Sequence, residues 1–374
     1  RVVMFDSALA TTTVVADTTS ATANAYGPRP GGLIAYHGDS TLFIDPASLS
    51  MLLIDPSGKI VRVMSAPRAQ DVGFLVGGPF GNPGFDRSGR LVYRAPPNFA
   101  RFGGPPPGSG SANRPPQIPQ MPDSAALVRF DLATRKVDTV IYFKTPKISM
   151  NISHVPDGGM RVTSSTNPLP QGDDWALLPD GTVALVRTKD YHVDWLNADG
   201  TVTASPKIPF QWERLTDEGK AAFIDSARVA IEKARASGQF GRDGGAQVMT
   251  RTVGDGAGPG AQRENTTVTT AAPGGGLGSP LPPLTMVSPS ELPDYKPAFS
   301  PGSTRSDADG NLWVRTSQNI NGIPVYNVIN RSGELIDRVQ LPQNRVLVGF
   351  GPAGVVYLAV RDGATAHLEK ARVR

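Results

Sequence analysis

Two adjacent carboxylates, Asp173 and Asp174, open the stretch DDWALL, and paired acids are the least that general acid–base chemistry requires. They stand directly before Trp175 with no second acidic pair beside them, so a solvated strand start accounts for them without catalysis. The run Asp307-Ala-Asp309-Gly310-Asn311 puts two carboxylates and an amide on one tight turn. Calcium takes roughly six to eight oxygens, about twice what such a turn can supply, so the turn reads as a plain β-turn. Four histidines, His37, His154, His192 and His367, are too widely spaced for a helical or hairpin metal site. No Gly-x-Ser-x-Gly elbow occurs, and Gly108-Ser109-Gly110 sits among prolines. Glycines 254, 256, 258 and 260 lack the Lys-Ser/Thr ending of a phosphate loop. On these grounds no catalytic, cofactor-binding or metal residue is assigned, no cofactor is expected, and the chain reads as no enzyme.

The chain of 374 residues contains no cysteine, which removes thiolate ligands, disulfides and cysteine nucleophiles together and suits an oxidising compartment. The net charge of +4 is scattered, without a basic run interleaved with aromatics, so nucleic acid is not an expected partner. No apolar run approaches the roughly 18 residues that span a bilayer. The sequence opens at Arg1, and removal of an export signal is the expectation, placing the protein in the periplasm or outside the cell, with a location peripheral to a membrane as one form of it.

The elements that hold these residues announce themselves through a recurring turn phrase. It reads Asp55-Pro-Ser-Gly58, Asp86-Arg-Ser-Gly89, Asp307-Ala-Asp-Gly310 and Asn330-Arg-Ser-Gly333, each followed by an alternating apolar run. Looser copies end at Gly181, Gly200 and Gly354. Asp or Asn begins such a turn by bonding backbone two residues on, and Gly closes it at positive φ. Hairpins repeated along a chain mean a stack of similar small sheets. One complete unit runs from Gly32 to Met64 as four strands, and the walk along the chain yields six units, the first and last incomplete. A ring closed by strands from both chain ends follows from that pattern. A further hairpin within 148–166, around Pro156-Asp-Gly-Gly159, leaves the count open between five and seven.

Two stretches break the rhythm of this single domain, 1–374. Residues 102–122 are Pro/Gly-rich and cannot form a ladder. Residues 209–299 begin with a helix over about 217–237, N-capped by Thr216, with Phe223, Ala227, Ala230, Ile231 and Ala234 on one apolar stripe, and continue as a Gly/Pro-rich loop.

The hairpin phrases, above all DDWALLPDGTVALV with Tyr191-His-Val-Asp-Trp195 and Asp309-Gly-Asn-Leu-Trp-Val, resemble six-bladed β-propellers of the NHL and TolB-like type found in exported bacterial proteins. The resemblance implies an all-β, six-bladed propeller with a helix-plus-loop insertion. It implies little about activity, since such rings serve as platforms, scaffolds and some enzymes. The expected function is a noncatalytic scaffold, a membrane-extrinsic subunit of an envelope protein complex. Its partners would be subunits of that complex, met by Phe102, Ile118 and Met121 in the first loop and Phe240, Leu277 and Leu281 in the second. The alternatives are a metal-dependent propeller hydrolase or lyase, and a peptide- or glycan-binding propeller presenting Tyr191, Trp195 and Trp212.

Overall fold

The computed structural model describes residues 1–18, 25–97, 122–154, 160–197, 199–236, 251–253, 284–362 and 365–373. An N-terminal hairpin pairs β1 (Val2–Phe5) with β2 (Thr12–Ala16). Five blades follow, each an antiparallel meander. Blade 1 is β3 (Gly32–Ala35), β4 (Thr41–Asp45), β5 (Ser50–Ile54) and β6 (Ile60–Ser65), followed by a one-turn helix α1 (Val72–Leu75). Blade 2 is β7 (Gly84–Phe85), β8 (Leu91–Arg94), β9 (Ser124–Phe130) and β10 (Val137–Lys144). A side hairpin of β11 (Ser149–His154) and β12 (Met160–Ser165) precedes blade 3, which is β13 (Asp174–Leu177), β14 (Val183–Arg187), β15 (His192–Leu196) and β16 (Val202–Ala204). Helix α2 (Asp217–Ala236) comes next, then β17 (Arg251–Val253), which adds to β12. Blade 4 is β18 (Phe299–Ser306), β19 (Leu312–Ile320), β20 (Ile323–Ile329) and β21 (Leu335–Gln340). Blade 5 has three strands, β22 (Arg345–Phe350), β23 (Val355–Asp362) and β24 (Thr365–Arg372).

The propeller is therefore five-bladed rather than six-bladed, and its closure differs from expectation. The incomplete N-terminal unit is a separate two-stranded sheet that does not join β22–β24. It packs Val2, Met4 and Val15 on Phe43, Leu52 and Ile54 of blade 1. Lys370 of β24 reaches across to it, donating to the Ser7 carbonyl at 3.2 Å. The extra hairpin inferred around Pro156 exists as β11–β12 but stands outside the blade series.

The second strand of each blade shows why these sequences stack. Alternate side chains point to opposite faces of a strand, and a blade interior has a neighbour on both faces. On β14, Leu185 enters the cluster shared with blade 2 while Ala184 and Val186 enter the cluster shared with blade 4. On β8, Val92 faces blade 3 while Leu91 and Tyr93 face blade 1. On β19, Leu312 and Val314 face blade 3 while Trp313 faces blade 5. Apolar residues in succession thus fill two seams at once. Fourth strands have no such neighbour, and β6, β16 and β21 are mostly exposed.

Meander geometry also sorts the loops by face. First-to-second and third-to-fourth strand turns lie at one end of the blades, and the Asp-x-x-Gly phrases all fall there. At Gly333 (φ 79°) the turn closes with the Gly333 amide donating to the Asn330 carbonyl at 3.0 Å. Second-to-third turns and blade-to-blade connections lie at the opposite end. From that end depart the connections that follow Ser65, Arg94, Lys144 and Ala204.

Candidate functional site

Local pairing builds one wall of a cleft on the long-loop end. After β16 the chain runs through Pro209–Glu213 and is clamped by a short ribbon: the Leu215 amide donates to the Asp294 carbonyl at 2.8 Å and the Lys296 amide to the Glu213 carbonyl at 2.9 Å. The opposite wall is the end of β19, Ser317–Ile320, with Val325 and Arg338. The cleft holds about 800 Å³. Its platform is Trp212, 40% exposed, set edge-on to Phe210 with ring centroids 5.2 Å apart. Phe210 meets Tyr191 at 5.5 Å, and Tyr191 meets Phe299 at 5.8 Å, so a line of rings ties the platform to the core. Edge contacts of this kind leave one indole face free for a ligand.

The amides of Gln211, Gln318 and Asn319 and the charges of Glu213, Lys296 and Arg338 surround that face. Glu213 is the cleft's single carboxylate among the described residues, and Lys296 Nζ stands 3.3 Å from its Oε2. Arg338 is exposed, and its guanidinium makes no ion pair among the described residues. Two of the three aromatics expected to meet a ligand do not. Tyr191 and Trp195 are buried, with Asn327 donating to the Tyr191 hydroxyl at 2.9 Å and burial holding that phenol's pKa far above its ordinary range. Of the three, Trp212 is the exposed one, because it lies beyond the blade on the clamped connection.

The other sequence candidates are structural fasteners. Asp173 accepts from Arg187 at 2.8 Å and from the Lys144 and Thr188 amides at 3.2 and 3.1 Å. Asp174 is 2% exposed and accepts from the Thr304 amide of blade 4 at 2.8 Å, while burial pushes its carboxyl up to about 6. The two acids serve different partners and form no dyad. Asp307 spends both oxygens internally, on the Asp309 and Asn311 amides, the Asn311 side chain and Trp313 Nε1, so hydrogen bonds within the turn account for its acids and amide. His37 stacks on Tyr36 and Phe85, His192 pairs with Asp194 and His367 with Glu369, on three different blades. The His154 side chain lies outside the described residues. Among the described residues no group of three or more His, Asp or Glu converges, and no helix is long and apolar enough to cross a membrane. Phe102, Ile118, Met121, Phe240, Leu277, Leu281, the Gly108 turn and the glycines at 254–260 also lie outside the described residues.

Helix α2 forms where expected, its Thr216 hydroxyl accepting from the Gly219 amide at 3.1 Å. The expected stripe faces inward, with Phe223, Ala227, Ile231 and Ala234 half-buried and only Ala230 exposed, and the deepest contacts are Ile224 and Lys220 at its edge. Ile224 packs with Leu169, Val287 and Leu292, and Lys220 Nζ binds Asp294 at 2.6 Å, so the helix braces the ribbon that carries the cleft wall.

No protein-family model and no curated protein matches the chain. Solved structures that align over most of it include virginiamycin B lyase from Staphylococcus aureus, 8% identical with a TM-score of 0.31, covering 92% of this chain and 85% of that one. The gluconolactonase from Xanthomonas campestris is 10% identical with a TM-score of 0.25, covering 87% and 81%. The aldose sugar dehydrogenase from Streptomyces coelicolor is 10% identical with a TM-score of 0.30, covering 92% and 95%. These similar proteins are enzymes by name, and that finding corrects both the noncatalytic scaffold and the reading of the chain as no enzyme. At such TM-scores they pass no residue, substrate or reaction to this chain.

Proposed function

We propose that the protein binds an acidic oligosaccharide in the Trp212 cleft and acts on it as a lyase. The observation that supports this reading is the conjunction of an exposed indole platform with one carboxylate and two cations. Indole faces accept the apolar C–H side of a sugar ring, and the flanking amides match its hydroxyls. Glycoside hydrolysis ordinarily employs two carboxyl groups flanking the bond, and among the described residues this cleft is lined by one, Glu213. Elimination from a uronate needs one base and a cation to neutralise the sugar carboxylate. In that step Glu213 removes the proton alpha to the carboxylate, the electron pair forms the ring double bond, the glycosidic C–O bond breaks, and the leaving oxygen takes a proton from solvent. Arg338, without an acid of its own, is the fork that receives the uronate.

The test incubates the full chain with oligogalacturonate and with alginate oligomers and follows the ultraviolet absorbance of the unsaturated product. Product formed by wild type and lost in Glu213→Gln, with binding retained, supports the reading. Absence of both binding and product with either acidic oligomer overturns it.

A further inference from the structure

A second, separate site lies at the seam of blades 2 and 3, on the same end of the propeller. Arg94 closes β8, and its guanidinium carbon stands 5.0 Å from the Phe80 ring centre and 5.9 Å from those of Phe74 and Phe143. Phe74 and Phe80 are themselves 4.5 Å apart, and the Phe80 backbone is fixed by Trp175 Nε1 donating to its carbonyl at 3.0 Å. The cage is thus preorganised by blade 3. Within it the Arg94 Nε is buried without any hydrogen-bond partner, and no ion pair to this guanidinium exists among the described residues. Desolvating a cation without an acceptor is costly, and aromatic faces return only part of that cost.

The described residues offer poor compensation. The acid that acts on Arg94 is Asp174, through space and without a hydrogen bond to it, and its Oδ2 already accepts from the Thr304 amide. The stretch that leaves Arg94, residues 95–122, contains no Asp or Glu and adds two more cations, Arg101 and Arg114. Burial lowers the Arg94 guanidinium to about 10, which still leaves it charged at neutral pH. The side chain is half-buried, so its outer edge remains reachable. With Nε buried and three rings around its carbon, the guanidinium is left to present its Nη end, the fork that receives two oxygens of one group.

We propose that the caged Arg94 is the anchor of a binding site for a small oxyanion, carboxylate or phosphate, at the seam of blades 2 and 3. The site is independent of the Trp212 cleft and stands or falls without it.

The full-length protein in chloride buffer is titrated calorimetrically with succinate and, separately, with inorganic phosphate, which distinguishes the two oxyanion classes. Wild type is expected to bind one of them saturably at a stoichiometry of one. Arg94→Met, which keeps the stem in the aromatic cage, should lose that binding while retaining the wild-type circular dichroism. Arg94→Lys keeps the charge but not the fork and should bind about tenfold more weakly. It serves as the decisive variant should the methionine protein fail to fold. Asp174→Asn removes the competing negative charge and should tighten binding. No saturable binding of either anion by wild type, or equal binding by wild type and the Arg94 variants, overturns the site.

Discussion

Asp174→Asn is the sharpest perturbation of the fold, because the carboxyl it replaces is held against its own preference. The folded pKa of about 6 stands above the ordinary 3.8, and burial is the leading cause. Between those two values the folded chain holds a proton that the unfolded chain has released, so stability falls as pH rises through that window. A gap of this size corresponds to ~3 kcal/mol lost once pH exceeds the folded value. Between pH 7 and pH 5 the linkage recovers about 1.4 kcal/mol of it. Asparagine is neutral throughout and its amide oxygen still accepts from the Thr304 amide. The wild type should therefore gain about 1.4 kcal/mol on the variant when both are unfolded by urea at pH 7 and then at pH 5. Other titrating groups occur in both proteins and cancel in the difference. Parallel stability curves over that range would refute the claim that Asp174 is desolvated, and with it the account of how blades 3 and 4 are joined.

Trp212→Ala should abolish binding of acidic oligosaccharide, measured by calorimetry, while costing about 1–2 kcal/mol of urea stability for the ring area packed on Phe210 and leaving the circular dichroism unchanged. Gly333→Ala adds a Cβ that would lie 2.1 Å from that of Ser205, at φ 79°, and should cost about 1–3 kcal/mol in the same denaturation assay. Ile224→Ala should cost about 2–5 kcal/mol locally, read as faster proteolytic cleavage within 209–236 while the blade core keeps its protection.

The blades were legible in the sequence because the Asp-x-x-Gly turns and the strand alternation are local signals. The Asp307 turn illustrates the point, for every bond that defines it lies within residues 307–313. The blade count was not legible, because Val2–Phe5 has the apolar pattern of a blade strand whether it joins β22–β24 or packs on Phe43 as a separate hairpin. The buried face of α2 was legible from Phe223, Ala227, Ile231 and Ala234, but Lys220 at its edge was not, because Asp294, distant in sequence, supplies the counter-charge that lets it be buried. Of the cleft, Trp212 was singled out, but Glu213 and Arg338 were not. Nothing local marks them, since the ribbon to 294–296 brings one to the cleft and the pairing of β20 with β21 the other. Arg94 likewise carries no motif, although the acid-free stretch 95–122 beside it is a compositional clue.

The confinement of the Asp-x-x-Gly turns to one end of the blades divides the molecule into a conservative side and a permissive one. A turn whose leading carboxylate already binds the amides two and four residues on, as Asp55 and Asp86 do, has no slack for an added residue. Length can vary freely only at the other end, where connections answer to no such internal template. Any change of specificity within this architecture therefore has to be written on the long-loop end. The opposite end offers a place where a linker, a label or a solid support can be attached without standing in the path of a ligand.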